Sequence, residues 1–339
     1  MNGRVKRAFK ITVLVILVLL LVGITFTIGW RPFIGPKTRD LTNRTFEATP
    51  ARLERGSYLA NGVLGCTGCH SERDEKAPGM PPIADKLGAG DVFIEGDGFP
   101  GRLIAPNITP DKETGAGNWT DDMLARSIRE GIGHDGRALF PIMPYTNYRA
   151  MPDEDLASVI VYIRSLAPVR NKLPKTEIAF PVKYLIRSAP EPVMAPVPQP
   201  DFPNQEKRGE FLVRMGSCAA CHTPQDRGQE KPGFEFAGGL LFPLPEATVM
   251  AANITPDASG ISYYDEDQFI QAMRTGKVKA RSLSPIMPWY FYRKMTDADL
   301  KAVFAYIRTL KPVKHTIDNT EPLTACKLCG MTHGGGERN

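Results

Sequence analysis

Cys66-Thr67-Gly68-Cys69-His70 and Cys218-Ala219-Ala220-Cys221-His222 each set two thiols and an imidazole within about one helical turn. Two thiols at that spacing can each add to a vinyl group of one porphyrin, and the adjoining imidazole then lies under the iron. The expected chemistry is covalent attachment of haem by Cys66 and Cys69, and again by Cys218 and Cys221. His70 and His222 are the expected proximal iron ligands, and two haem c groups the expected cofactors. A thioredoxin-like redox pair also uses Cys-x-x-Cys, but the following His and the recurrence 152 residues later favour haem.

What such an iron does depends on its sixth ligand: a second side chain makes it mainly an electron carrier, and an open position lets it bind small molecules. Met143 and Met287 are the candidates, 73 and 65 residues after their histidines, in Pro141-Ile142-Met143-Pro144 and Pro285-Ile286-Met287-Pro288. The flanking prolines cannot continue a helix and hold an extended loop from which a thioether can reach iron. A Met among apolar residues is ordinarily core filler, but its return in an identical tetrapeptide favours ligation. Met80 also precedes a proline and has no counterpart in the second copy. His134 falls opposite Val278 in the repeat and is expected to be a loop histidine, and His315 is expected to be solvated.

Other landmarks repeat in the same order. Pro106-Asn107-Ile108-Thr109-Pro110-Asp111 returns as Asn253-Ile254-Thr255-Pro256-Asp257, and Asp153 to Val169 as Asp297 to Val313. The offset is 152 at the cysteines, 146 at Asn-Ile-Thr-Pro and 144 from the Met onward, as expected for a duplicated domain with two loops of unequal length. Asn and Pro form turns. The repetition also makes Asn107, Thr109, Asn253 and Thr255, with Arg102, candidate donors to buried haem propionates.

Elements that must position these groups are helical. Leu156, Val159, Ile160 and Ile163 share one helix face, as do Leu300, Val303, Phe304 and Ile307. Asp153 and Thr296 or Asp297 are candidate N-caps, and Pro168 and Pro312 stop these helices. A shorter helix is predicted from Thr120 or Asp121 to Gly131, with Leu124 and Ile128 inward. Its partner runs from Asp265 to Gly276 with Phe269 and Met273 inward. Arg55 to Val63 and Lys207 to Met215 are expected to lead into the cysteines. Asp91 to Ile94 and Leu240 to Phe242 are candidates for local strand pairing.

Ile11 to Trp30 is twenty residues without a charge, preceded by Arg4, Lys6, Arg7 and Lys10. Twenty helical residues span about 30 Å, the thickness of a bilayer's hydrocarbon core, and the basic flank belongs on the cytoplasmic side. A cleaved signal peptide would carry a shorter apolar region ending in small residues. Trp30-Arg31-Pro32-Phe33 stands there instead, which favours an uncleaved anchor with the rest of the chain exported. The net charge of +5, 42 basic against 37 acidic residues, gives no case for nucleic acid. Six prolines lie in the fourteen residues from Pro190 to Pro203, an extended connector. Ile178 to Ile186 ahead of it is apolar enough to pack on a domain. The divisions are therefore anchor and connector over 1–46, a first haem domain over 47–175, a proline-rich linker over 176–203, a second haem domain over 204–315 and a tail over 316–339.

Cys326-Lys327-Leu328-Cys329-Gly330 has the attachment spacing without the His, so a third haem is not expected. A disulfide, or a metal site with His333, is the alternative to a tail of modest function.

With both Cys-x-x-Cys-His runs, both Asn-Ile-Thr-Pro runs, Gly136 to Pro144 and the closing helices in hand, residues 47 to 315 resemble membrane-anchored dihaem cytochromes c of class I type. They are similar to the cytochrome c subunits of bacterial membrane-bound alcohol dehydrogenases, relatives that bring three haems where two motifs stand here. The resemblance implies a mainly α chain: a transmembrane helix, then two tandem helical haem domains with His/Met irons, on the periplasmic side of the bacterial inner membrane. It implies electron transfer between a dehydrogenase or quinol-oxidising complex and an acceptor such as an oxidase or soluble cytochrome. The alternative is a dihaem enzyme, a peroxidase or thiosulfate-type dehydrogenase, with one open iron. No acid, base or nucleophile constellation stands apart from the haem motifs, so no catalytic residue is assigned.

Overall fold

The computed structural model describes residues 3–96, 98–226, 228–244, 247–279, 281–319, 324–330 and 332–333. Helix α1, Gly3–Phe26, is apolar and none of it is buried. At about 1.5 Å per residue it is about 36 Å long, enough to cross a membrane. It takes in the basic residues before the uncharged run and ends before Trp30, where the Thr27 and Gly29 N–H groups close back on the Gly23 and Ile24 carbonyls.

Each half is then built alike. Entry helix α2, Pro50–Tyr58, continues as one wider turn over Leu59–Val63 into the first cysteine turn, Cys66–Cys69. It starts before Arg55 because Thr49 caps it, accepting from Arg52 N–H, and Pro50 presets the first helical φ. Helix α3, Asp121–Glu130, is capped by Thr120 and ends at Gly131, and closing helix α4 covers Asp153–Ser165. In the second half α5 is Gln205–Met215, capped by Asn204; α6 is Glu266–Thr275, capped by Asp265; and α7 is Asp297–Thr309. Thr296 caps α7, accepting from Asp299 N–H. Asp153 does not cap α4: Pro152 holds the cap position, and the Asp153 carboxylate instead accepts from Arg129 and from Val197 N–H.

The inward faces are those read from periodicity. Leu156, Val159, Ile160 and Ile163 of α4 and Leu300, Val303, Phe304 and Ile307 of α7 are buried, with Leu124, Ile128, Phe269 and Met273. Side chains from both halves belong to one contiguous core, so the two domains pack on each other rather than swing on the connector. Strands pair locally: Asp91–Glu95 with Gly101–Ala105, and Leu241–Leu244 with Ala247–Met250. Glu177–Ile178 adds a third strand to the first hairpin. The turn Val182–Leu185 lies against Arg31–Ile34 of the connector after α1, and Arg187 donates to the Pro32 carbonyl, so the stretch ahead of the proline connector meets the anchor's connector there.

Candidate haem sites

Both attachment turns are entered through a left-handed residue, Gly65 at φ +61° and Ser217 at φ +56°. That backbone reversal turns the chain from the entry helix into Cys66–Cys69 or Cys218–His222 and leaves the histidine at the turn's end. His70 Nδ1 lies 2.8 Å from the Pro106 carbonyl, and His222 Nδ1 lies 2.8 Å from the Ala252 carbonyl. A carbonyl only accepts, so Nδ1 carries the proton in each ring and Nε2 keeps its lone pair for a metal. Burial lowers both histidine pKa values and so keeps the rings neutral, the ligating form.

Burial pushes the Cys66 and Cys218 thiols up to about 12, helped by the neighbouring Cys69 and Cys221. A redox Cys-x-x-Cys pair needs the opposite shift, toward a thiolate. The environment therefore argues against a thioredoxin-like role and suits thiols that end as neutral thioethers.

Cys66, Cys69, His70 and Met143 line one cavity of about 1030 Å³, together with Trp119, Leu124, Ile128 and Phe140. Pockets for sizeable ligands run to about 1,000 Å³, so the volume, the largely apolar wall and the sulfur and nitrogen donors fit a haem. Met143 stands in a turn closed by its N–H on the Phe140 carbonyl, and Met287 in a like turn closed on Ser284. His134 sits at this cavity's exposed rim, stacked on Trp119 with centroids 4.3 Å apart. Met80 is not among the lining residues.

The Asn-Ile-Thr-Pro side chains are spent inside the protein. Asn107 Nδ2 donates to the Val169 carbonyl at 2.7 Å, while its Oδ1 accepts from the N–H and hydroxyl of Thr109. Asn253 and Thr255 repeat this with Val313. These four residues tie the loop after each histidine to the chain beyond the closing helix, and they are buried there with their partners. Arg102 is engaged by Glu95 and Glu177. For the four Asn and Thr side chains the expectation of propionate donors is corrected accordingly.

Sequence reasoning missed the contacts that brace each attachment turn and those that join the two halves. Tyr148 donates to the Leu64 carbonyl at 3.1 Å and Tyr292 to the Gly216 carbonyl at 2.8 Å, each just ahead of its half's cysteine turn. Their recurrence at the 144-residue offset was the available signal. Asn147 Nδ2 of the first half donates to Ser217 Oγ of the second at 3.0 Å, and Phe291 of the second half packs on Gly65 and Gly68 of the first. Cys69 and Cys221 are close enough for the charge of one to raise the pKa of the other.

The Cytochrome c family model matches residues 53–167 and 206–311, the two copies of this arrangement. The chain is 30% identical over 303 residues to a nicotinate dehydrogenase component of Pseudomonas putida, covering 83% of this chain and 23% of that protein. It is 26% identical over 336 residues to the alcohol dehydrogenase (quinone) cytochrome c subunit of Gluconacetobacter polyoxogenes, covering 86% and 68%. A diheme cytochrome c-type protein of Cereibacter sphaeroides is 27% identical over 256 residues, covering 74% and 83%. The chain thus spans about a quarter of the first relative's length and about two thirds of the second's. With both matched segments built around a Cys-x-x-Cys-His turn whose histidine keeps Nε2 open, the chain belongs to the cytochrome c family and carries covalently bound haem c.

Proposed function

We propose that the chain is a membrane-anchored dihaem cytochrome c that relays electrons from a dehydrogenase or a quinol-oxidising complex to an acceptor such as an oxidase or a soluble cytochrome. The observation that carries this reading is the duplicated histidine geometry: two rings, each fixed by a backbone carbonyl, each in a half that keeps a Pro-x-Met-Pro turn. Haem c supplies one-electron ferric/ferrous chemistry. Cys66, Cys69, Cys218 and Cys221 would hold the two groups covalently, and His70 with Met143 and His222 with Met287 would supply the ligands to the irons. Close packing of the two attachment turns favours direct transfer between them. Helix α1 supports an inner-membrane anchor with the haem domains on the periplasmic side. The relatives' roles as dehydrogenase cytochrome subunits support a dehydrogenase as donor.

The test is the optical spectrum and haem stoichiometry of the purified chain, followed by carbon monoxide added to the reduced protein. Two low-spin haems per chain that show the far-red methionine-to-ferric-iron band and ignore carbon monoxide are expected. Rapid carbon monoxide binding to one haem would replace the carrier by a dihaem enzyme with an open iron.

A further inference from the structure

His315 follows closing helix α7 and is fully buried, not solvated as its place after the last helix had suggested. Its N–H donates to Ser259 Oγ at 2.9 Å, and its Nδ1 lies 2.9 Å from the Ala237 carbonyl. The same place in the first half is Asn171, whose N–H donates to Thr114 Oγ1 at 2.9 Å and whose Nδ2 donates to the Ala89 carbonyl at 3.0 Å. One side-chain donor therefore suffices for the structural task, and an amide performs it. Histidine brings a second nitrogen. With Nδ1 protonated toward a carbonyl, Nε2 holds the lone pair.

That nitrogen meets two cysteines found only in the second half's extension. Cys326 Sγ lies 3.7 Å from His315 Nε2, and the ligand atoms of His315, Cys326 and Cys329 all lie within 4.8 Å of one another. A tetrahedral zinc with bonds of about 2.3 Å to sulfur and about 2.05 Å to nitrogen sets those two atoms about 3.6 Å apart. The cysteine turn is also shaped for a metal. Gly330, at φ +74°, closes it with its N–H on the Cys326 carbonyl at 2.9 Å, and backbone pairing of Thr324–Ala325 with Thr332–His333 brackets it. The side chain of His333, the histidine considered from sequence, lies outside the described residues.

We propose that His315, Cys326 and Cys329 form a structural zinc site that clips the C-terminal segment to the second haem domain. Each thiol releases its proton on binding, and a water or a further side chain completes the tetrahedron. The clip braces the haem loop, because the His315 carbonyl accepts from Asn253 Nδ2 at 3.1 Å, next to the Ala252 carbonyl that orients His222. A Cys326–Cys329 disulfide is the competing state. It does not account for a histidine where the first half uses an asparagine.

The experiment measures zinc per chain in the detergent-purified full-length haem protein after incubation with zinc sulfate and dialysis, with X-ray absorption at the zinc edge. One zinc per chain is expected, with two sulfurs at about 2.3 Å and nitrogen at about 2.0–2.1 Å. His315→Asn, copied from Asn171, should keep the Ala237 bond and the haem spectrum while zinc falls at least about tenfold. Cys326→Ser should do the same. No zinc in the wild-type chain, a Cys326–Cys329 disulfide that survives the treatment, or undiminished zinc in both variants would overturn the site.

Discussion

Gly56 of the first entry helix lies directly on the backbone carbonyl of Ser158 in the first closing helix, so near that an added Cβ would overlap the oxygen. Gly209 stands in the same relation to Ala302 in the second half. The neighbour is helix backbone, which cannot rotate away as a side-chain tip can. Gly56→Ala and Gly209→Ala are each expected to force the two helices apart and cost about 1–3 kcal/mol. Thermal unfolding followed by haem absorbance checks this, and an unchanged midpoint in either variant would show that the crossing tolerates a wider spacing.

Arg39, in the connector after α1, donates to both oxygens of Asp122 at 2.7 and 2.8 Å and to Glu130 at 2.8 Å. The Asp122 side chain has no exposed surface. Arg39→Ala removes the guanidinium bonded to two buried carboxylates, leaving Asp122 only the Arg44 contact at 3.7 Å, and is expected to cost about 3–5 kcal/mol. Burial would raise the Asp122 pKa, but the Arg39 guanidinium and Thr42 N–H together hold it below the usual value. A lowered folded pKa means the contribution is complete above about pH 3.9 and is lost as pH falls through the folded value. Burial raises Glu130, whose contribution has the opposite sign and fades as pH rises through its own folded value. Unfolding measured from neutral pH downward should therefore show an acid loss below about pH 4 that Asp122→Asn reduces. An unaltered acid limb in that variant would remove Asp122 from the account.

Helices α3 and α6 were legible to within a residue at both ends, because Thr120 and Asp265 are strong caps and Gly131 and Gly276 supply the left-handed stop. The closing helices were legible from their apolar face alone. What local pattern does not carry is partner choice. Asp153 reads as a cap, yet Arg129 draws its carboxylate away. Asn107 and Asn253 read as haem-facing donors, yet the nearest unmet acceptors are the Val169 and Val313 carbonyls. His315 reads as solvated because its burial depends on Phe234 and Ala237, about eighty residues earlier. The packing of one half on the other was likewise invisible, since a duplication looks the same whether or not its copies touch.

That packing has a tight point. A Cβ on Gly68 would come within 2.7 Å of the Phe291 ring, which is fully buried, while Ala220 fills the equivalent place in the second half. Gly68→Ala is expected to destabilise the contact between halves by about 1–3 kcal/mol. Combined with Phe291→Leu, which removes the ring edge, it should cost less than the two changes summed, with a coupling of about 0.5–3 kcal/mol. A double-mutant cycle by chemical denaturation measures this. Strict additivity would mean that Gly68 and Phe291 do not meet in solution.

The Asn-Ile-Thr-Pro runs separate a structural role from a haem-tuning one. Asn253 Nδ2 donates to the carbonyls of Val313 and His315, and its Oδ1 accepts twice from Thr255, all within buried chain. Asn253→Ala strands those groups, and each unmet buried partner costs about 1–3 kcal/mol, whereas a propionate donor would be felt chiefly by the iron. The expected result is a large fall in stability with the haem midpoint potentials within the wild-type spread. Asn107→Ala should behave alike in the first half, through Val169 and Thr109. Redox titration beside thermal unfolding decides the point: a shifted potential in a variant of unchanged stability would return these asparagines to the haem.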